Sequence, residues 1–407
     1  MTTKLRAASF EDGRASITIS WQPVVTSSTL AAVAFRGYLI NTTSNACTVT
    51  LPSSASPGDS IALVDYAGTT STNKITLTSS LKIEGGTSNK QITTRREGVT
   101  ITYADVTQGW IATSGVNSGS TALSSLPYSV DFLVIAGGAS GGQENYQTGS
   151  GGGGGAGGYR TSTQTVSSGN TITITVGDGG ASRNQGGGKG ADGSVSSISG
   201  TGLTTITSAG GGGGGGGTNN GNSGSNAGGS GGGGTNNAST NGSAGNTPST
   251  NPSQGNAGGN MGSGDKAGGG GGAGAVGGNG TSNGGGAGGI GTASSITGSS
   301  VTRGGGGGGN NSSAAVTTQP AGGGGAGARY QVSAAVNGTV NTGGGGGGAT
   351  NGGSPNYSTS GAGGKGVVIL SMPDGSYSGA STGSPTVATG VSGKTILTFT
   401  GTGSYTP

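Results

Sequence analysis

The stretch SAGGGGGGGGTNNG, residues 208–221, holds eight consecutive glycines at 210–217, and similar runs recur at 151–158, 268–274, 284–289, 304–309, 322–327 and 343–348. Shorter ones lie at 186–190 and 231–234. Glycine above a quarter of a segment, with no strict triplet, is the usual composition of a linker or a disordered chain. Three features favour an ordered structure instead. Flexible linkers mix Ser into Gly, whereas here Ser, Thr and Asn sit between the runs. The runs have similar lengths. Two apolar stretches, VDFLVIAGG at 130–138 and GKGVVILSMP at 364–373, bracket the region.

Excluding every Cβ is a steric requirement: backbones must approach each run from all sides. An extended helix of three residues per turn suits this, because its peptide groups point outward and form no internal hydrogen bonds. Packed side by side, such helices can pair each N–H with a neighbour's carbonyl. Glycine loses more entropy on ordering than any other residue, and a hydrogen bond returns only about 0.5–1.5 kcal/mol net. A single run therefore stays disordered, while many packed together can order cooperatively.

Outward from the runs, the chain divides sharply. Only ten of the 103 glycines lie in residues 1–127. That first region alternates with period two in RASITISW (14–21), CTVTL (47–51), SIALVDY (60–66), KITLT (74–78) and VTITYADV (99–106), the pattern of half-buried strands. Helical periodicity is confined to TLAAVAF, residues 29–35. Trp21 and Trp110 read as core or interface packing rather than as ligand platforms. The expected fold is an all-β N-terminal region, then a bundle of packed polyglycine II-type helices with flanking β-strands, and essentially no α-helix. Its divisions are an attachment segment at 1–34, a β-module at 35–115, a linker at 116–129, the glycine-rich domain at 130–373 and a C-terminal hairpin region at 374–407.

Composition excludes several functions. His is absent and Cys47 is the single cysteine, so Ser-His-Asp catalysis, Cys-His catalysis and the usual zinc sites are unavailable. The net charge of +4 comes from scattered Lys and Arg, unlike the basic face of a nucleic-acid binder. Residues 128–407 carry six acids, Asp131, Glu144, Asp178, Asp192, Asp265 and Asp374, none paired in sequence as a hydrolase needs. ATGVSGKT (388–395) matches a permissive phosphate-loop pattern, but the alternating TILTFTG that follows reads as a strand, so a hairpin turn is expected. GGKGADGSV (187–195) approximates a calcium-binding nonapeptide, once and imperfectly. No enzyme activity, metal or cofactor is expected. Neither a signal peptide nor an 18-residue apolar run is visible.

Two stretches resemble a known family. TLP, GD and DYAGT within 50–70, IEG at 83–85 and the closing GW at 109–110 resemble a small β-module of bacteriophage tail fibres. VDFLVIAGG, the glycine runs, GKGVVILSM and the terminal ILTFTGTGSYTP resemble the glycine-rich domain of tail-fibre adhesins. The resemblance implies a virion tail protein made in the host cytoplasm, a homotrimeric front module joined to other tail proteins, and loops between glycine helices that touch a bacterial surface glycan or outer-membrane protein. The alternative is a purely structural spacer or decoration without its own receptor.

If successive runs alternate in direction, the spacers fall at two ends. Those at 191–209, 292–303 and 328–342 are rich in Val, Ile and Leu. Those at 218–230, 275–283, 310–321 and 349–360 are mostly polar and free of charge. Spacers 235–267 and 159–185 break this pattern. Amides and an aromatic face suit a neutral sugar, which selects Asn219, Asn220, Asn310, Asn311, Gln319, Asn351, Asn356 and Tyr357 as candidate receptor contacts. The same Asn residues are also the ordinary occupants of turns.

Overall fold

The computed structural model describes residues 18–115, 124–145, 149–184, 187–218, 221–235, 241–264, 266–310, 319–330, 332–350 and 359–407. It divides into two units, Met1–Pro127 and Tyr128–Pro407. Among the described residues there is no α-helix, only a 3-10 turn at Asp374–Ser376.

In the first unit the chain crosses repeatedly between two sheets. One sheet has the order β1 (Ser20–Trp21), β3 (Arg36–Ile40), β5 (Ser60–Asp65), β8 (Gly98–Tyr103) and β9 (Trp110–Ala112). The other has the order β10 (Ser124–Ser125), β7 (Lys90–Ile92), β6 (Ile75–Thr78), β4 (Cys47–Thr50) and β2 (Thr29–Ala31). Neighbours β1/β3, β3/β5, β2/β4 and β4/β6 are parallel. Parallel neighbours need a crossover connection, usually a helix; here the intervening strand of the opposite sheet serves. Between the sheets lie Ile40, Val49, Ile61, Leu63, Ile75, Leu77, Ile92, Ile101 and Trp110.

Three sequence expectations change here. TLAAVAF forms no helix: it holds β2, paired along β4. Of RASITISW, only Ser20–Trp21 is a strand, and residues 14–17 lie outside those described. The proposed boundary at residue 35 falls inside the unit, since β1 and β2 extend its two sheets. Trp110 is fully buried, edge-on to Tyr103 with ring centroids 5.6 Å apart, but Trp21 is half-exposed and its indole covers Gly37.

The motif residues of this unit prove to be turn-builders. The Asp65 carboxylate is buried and accepts from Gly68 N (2.9 Å), Arg96 N (3.0 Å) and Thr70 Oγ1 (3.0 Å). Gly109 has φ 71°, and a Cβ there would lie 1.9 Å from Lys82 O. Burial alone raises the Asp65 pKa, but the bonds from Arg96, Thr70 and Thr69 outweigh it and hold the carboxyl below its ordinary value. A depressed carboxylate contributes stability that is present above its unfolded pKa of about 3.9 and lost as pH falls through the lower folded value. Asp65→Ala strands several buried donors and is expected to cost about 3 kcal/mol. Urea midpoints followed by Trp110 fluorescence check this. The wild type should also show an extra loss of stability below about pH 4 that Asp65→Asn lacks.

The second unit combines a sandwich with a glycine slab. One sandwich sheet has the order β13 (Tyr159–Val166), β11 (Tyr128–Ile135), β22 (Val367–Pro373), β25 (Lys394–Phe399) and β24 (Thr386–Val391), all antiparallel. The other has the order β16 (Ile206–Ser208), β15 (Ser196–Gly200), β14 (Ile172–Thr175), β26 (Gly403–Tyr405) and β23 (Ser381–Thr382). Phe132, Leu370, Ile174, Ile198, Phe399 and Tyr405 fill the space between them. The outer face of β11 and β22 is also apolar, with Leu133, Ile135, Val367 and Ile369. That face lies under a hairpin of β19 (Thr292–Ser294) and β20 (Val301–Arg303), which contributes Ile296. Burial on both faces explains why FLVI, residues 132–135, reads as an unbroken apolar run. The proposed division at 373/374 has no counterpart, because β25 pairs with β22 and β26 with β14.

The glycine runs pack as the steric argument requires. Run 151–158 donates from Gly152, Gly155 and Gly158 to 209–215, from Gly151, Gly154 and Gly157 to 343–349, and from Gly153 and Ala156 to 268–271. Its carbonyls accept from 136–142, 230–233 and 304–310. Six neighbours thus surround one run, each met at every third residue, as threefold screw geometry demands. Bond lengths are about 2.7–3.1 Å, the ordinary range for N–H···O.

Candidate functional site

The direction of each run follows from its pairing. Residues 136, 139 and 142 bond to 158, 155 and 152, so 136–142 and 151–158 are antiparallel. The alternation continues through 177–180, 188–194, 210–217 and onward, including short runs at 226–229, 242–246, 255–260, 277–280 and 336–338. One end of the slab grows directly out of the sandwich, since β11 runs into 136–142 and β22 follows 360–366. The connections 143–150, 181–187, 218–225, 235–241, 261–265, 281–284, 329–335 and 351–359 leave the opposite, far end.

Among the described residues the alternation has one break. Gly305 N bonds to Gly322 O and Gly308 N to Gly325 O, so runs 304–310 and 322–328 are parallel. The chain therefore leaves run 304–310 at the far end, while Ala321, before run 322–328, lies at the sandwich end, where its O accepts from Gly291 N.

This geometry sorts the candidate contacts. Asn310 is not a surface residue. It is fully buried because it extends run 304–309 by one position: its N donates to Gly151 O, and its Nδ2 to Ala328 O at 2.9 Å. Gln319 is exposed, but it lies two residues from Ala321 and so belongs to the sandwich end, apart from Asn310. Asn219, Asn220, Asn311, Asn351, Asn356 and Tyr357 lie outside the described residues. Their flanks do not: Thr218 and Gly221 close the hairpin of β17 (Gly216–Thr218) and β18 (Gly221–Ser223), and Thr350 ends β21 (Ala349–Thr350). These strands and β12 (Gln143–Glu144) form a small sheet at the far end.

The two exceptional spacers also resolve. Spacer 235–267 contains the runs 242–246 and 255–260, and its polar parts at 235–241 and 261–265 do reach the far end. Spacer 159–185 contains β13, β14 and the run 177–180. Spacer 328–342, assigned to the apolar end, is corrected: 336–338 is a run, and only 340–342 turns at the sandwich.

Just beneath the far-end connections, polar side chains tie runs together. Gln143 Oε1 accepts from Gly187 N (3.0 Å), and Thr235 Oγ1 donates to Ser150 O (2.6 Å). Asp192 Oδ1 accepts from Gly213 N and Asn226 Nδ2, while Lys189 Nζ donates to Asn226 Oδ1. The other described acids of this unit also have structural partners. Asp178 meets Lys365 at 3.2 Å, and Asp374 Oδ1 accepts from Thr395 Oγ1 (2.7 Å) and Gly390 N. Glu144 accepts from Asn145 N, and Asp131 pairs with Lys394 at 2.7 Å. ATGVSGKT is the turn between β24 and β25, with Ser392 at φ 53° and Gly393 at φ 78°. GGKGADGSV supplies the run 188–194 and the Asp192 anchor. Among the described residues no helix is long and apolar enough to cross a membrane.

A family model described as glycine-rich domain matches residues 112–373, well over half of the chain. The chain belongs to the glycine-rich domain family. No curated protein matches it at significance. The glycine-rich domain match ends at Pro373, short of β24, β25 and β26, which the sandwich nevertheless includes.

Proposed function

We propose that the chain is a bacteriophage tail-fibre or tail-tip protein that attaches the virion to its host, with the far end of the glycine slab as the adhesive surface. The observation that carries this reading is the pairing pattern of the runs. It brings mainly polar connections from eight separate places in the sequence to one end, opposite the sandwich, with Glu144, Arg183, Asp265 and Arg329 as their charged residues. A scaffold bonded chiefly through backbone leaves most of those connections free to vary, which suits recognition. The first unit joins other tail proteins and assembles as a homotrimer, on the resemblance of its DYAGT and GW motifs. The receptor is a surface glycan or an outer-membrane protein, and no nucleic acid, cofactor or chemical step is involved.

The test replaces 311–318 and 351–358 together with neutral Gly-Ser sequence of equal length, sparing the buried Asn310 and the sandwich-end Gln319. Binding of the full chain to host cells is expected to fall at least tenfold while the melting temperature is kept. Protease or periodate treatment of the cells separates the two receptor classes. Undiminished binding would place adhesion elsewhere. A wild-type chain that never binds cells would leave the spacer role. Sedimentation at micromolar concentration should give three times the chain mass of 37.6 kDa.

A further inference from the structure

At the sandwich end, the β19–β20 hairpin overhangs the outer face of the β13–β11–β22–β25 sheet and leaves a groove of about 730 Å³. The space is within the range of small-ligand sites. Near the slab the sheet face is apolar and closed by Ile296. Farther out it turns polar, because the cross-strand row Thr163, Asp131 and Ser371 faces the groove. The hairpin tip comes down beside the β24–β25 turn, where a Cβ on Gly298 would lie 2.4 Å from Val391.

At its polar centre, Lys394 Nζ sits 2.7 Å from Asp131 Oδ2, and Thr163 Oγ1 donates to Asp131 Oδ1 at 2.7 Å. The Lys394 ammonium, with the Thr163 hydroxyl, holds the Asp131 carboxyl below its ordinary value against burial, which acts to raise it. Both partners stay open to solvent, the Asp131 side chain 38% and that of Lys394 47% exposed.

We propose that this groove binds one unit of a neutral saccharide. A carboxylate offers about four acceptor positions and an ammonium three donors; Thr163 and their mutual contact leave both groups with capacity. Each sugar hydroxyl both donates and accepts, so a vicinal diol can lie across the adjacent acceptor and donor. Ser294, Ser295, Ser371 and Ser392 add hydroxyls around the same space, and Ile296, Val391 and Ile396 offer an apolar patch to the C–H face of a pyranose. The ion pair cancels itself and, among the described residues, no other charged side chain lines the groove, so a charged ligand gains nothing over a neutral one. A peptide strand is disfavoured because β11, β22 and β25 in the floor already have both edges paired. The choice of saccharide over another neutral polyol rests on the attachment reading above; the groove does not.

The experiment is saturation-transfer NMR on the full chain, without cells. The probes are glucose, galactose, mannose, N-acetylglucosamine and their disaccharides, with glycerol as the acyclic control. At least one sugar is expected to show saturable transfer at millimolar concentration, and glycerol none. Asp131→Asn, which keeps the shape, should weaken it at least tenfold. Ser295→Trp, on the exposed hairpin, should block it with no change in melting temperature. Transfer no stronger than glycerol's for every sugar, or binding unchanged in Ser295→Trp, overturns the proposal. Sugar binding in a chain that ignores host cells would sink only the attachment reading. Cell binding with an inert groove would sink only this one.

Discussion

Gly153→Ala is expected to abolish the cooperative melting of the second unit, although it adds a single methyl group. A Cβ on Gly153 would lie 2.0 Å from Gly307 O and 2.8 Å from Gly270 N, both backbone atoms of neighbouring runs. Neither can yield by changing rotamer. Moving either run breaks its pairing with runs farther out, so the strain spreads across the slab. Overpacking an ordinary core costs about 1–3 kcal/mol because side chains can shift; here the loss should exceed about 4 kcal/mol, the range of exceptional mutations. Valine at Gly213 or Gly306, where a Cβ would lie 2.1 Å from Gly190 O or 2.2 Å from Gly270 O, should act alike. Gly401→Ala is the control, since nothing lies within 4 Å of its Cβ position, and it should stay within about 0.5 kcal/mol of wild type. Calorimetry and amide exchange across 210–217, 304–309 and 343–348 read the result. Exchange at free-peptide rates in the wild type would show the runs to be a linker after all.

A chain ending at Pro373 is expected not to form the second unit at all, although the family match stops there. The missing residues include β25, between β22 and β24, and β26, between β14 and β23. With them go Leu397, Phe399 and Tyr405, all fully buried against Phe132, Leu370 and Ile174. What remains is an open β22 edge over a stripped apolar face, a template for aggregation. Removing one buried Phe costs about 3–5 kcal/mol, and a whole domain holds only about 5–15. Limited proteolysis should digest 128–373 in the truncated chain and spare it in the full one. A protease-resistant glycine core in the truncated chain would refute this.

The glycine runs and the framing strands could be read from the sequence because each follows from a local rule. The alternation of ends is a supposition that holds for most runs and fails between 304–310 and 322–328. A run without Cβ demands neighbours, and FLVI at 132–135 demands burial on two faces. The short runs at 226–229, 242–246 and 336–338 escaped notice because a backbone contact forbids a side chain only on the faces that meet another run. Asn226, Ser243 and Val336 direct theirs elsewhere while still pairing as glycine would. Asn310 read as a loop residue for the same reason. The parallel pair 304–310 and 322–328 was hidden because spacer length does not say whether a connection turns back or travels the length of the slab. In the first unit, period-two alternation reports one buried face per strand, but not which of two sheets receives it. The Asp131–Lys394 groove joins residues 263 apart, and no local pattern announces such a pair.

The threefold repeat of contacts along run 151–158 also sets the size of tolerable change. Each neighbour is met again after three residues, a rise of about 9.3 Å. Inserting one or two residues into a run would turn every later peptide toward the wrong partner. Inserting three would restore the directions and lengthen the run by one turn, with the surplus pushed into the adjoining connection. Lineages carrying this fold should therefore gain and lose residues within runs in multiples of three, while the connections between them drift freely by single steps.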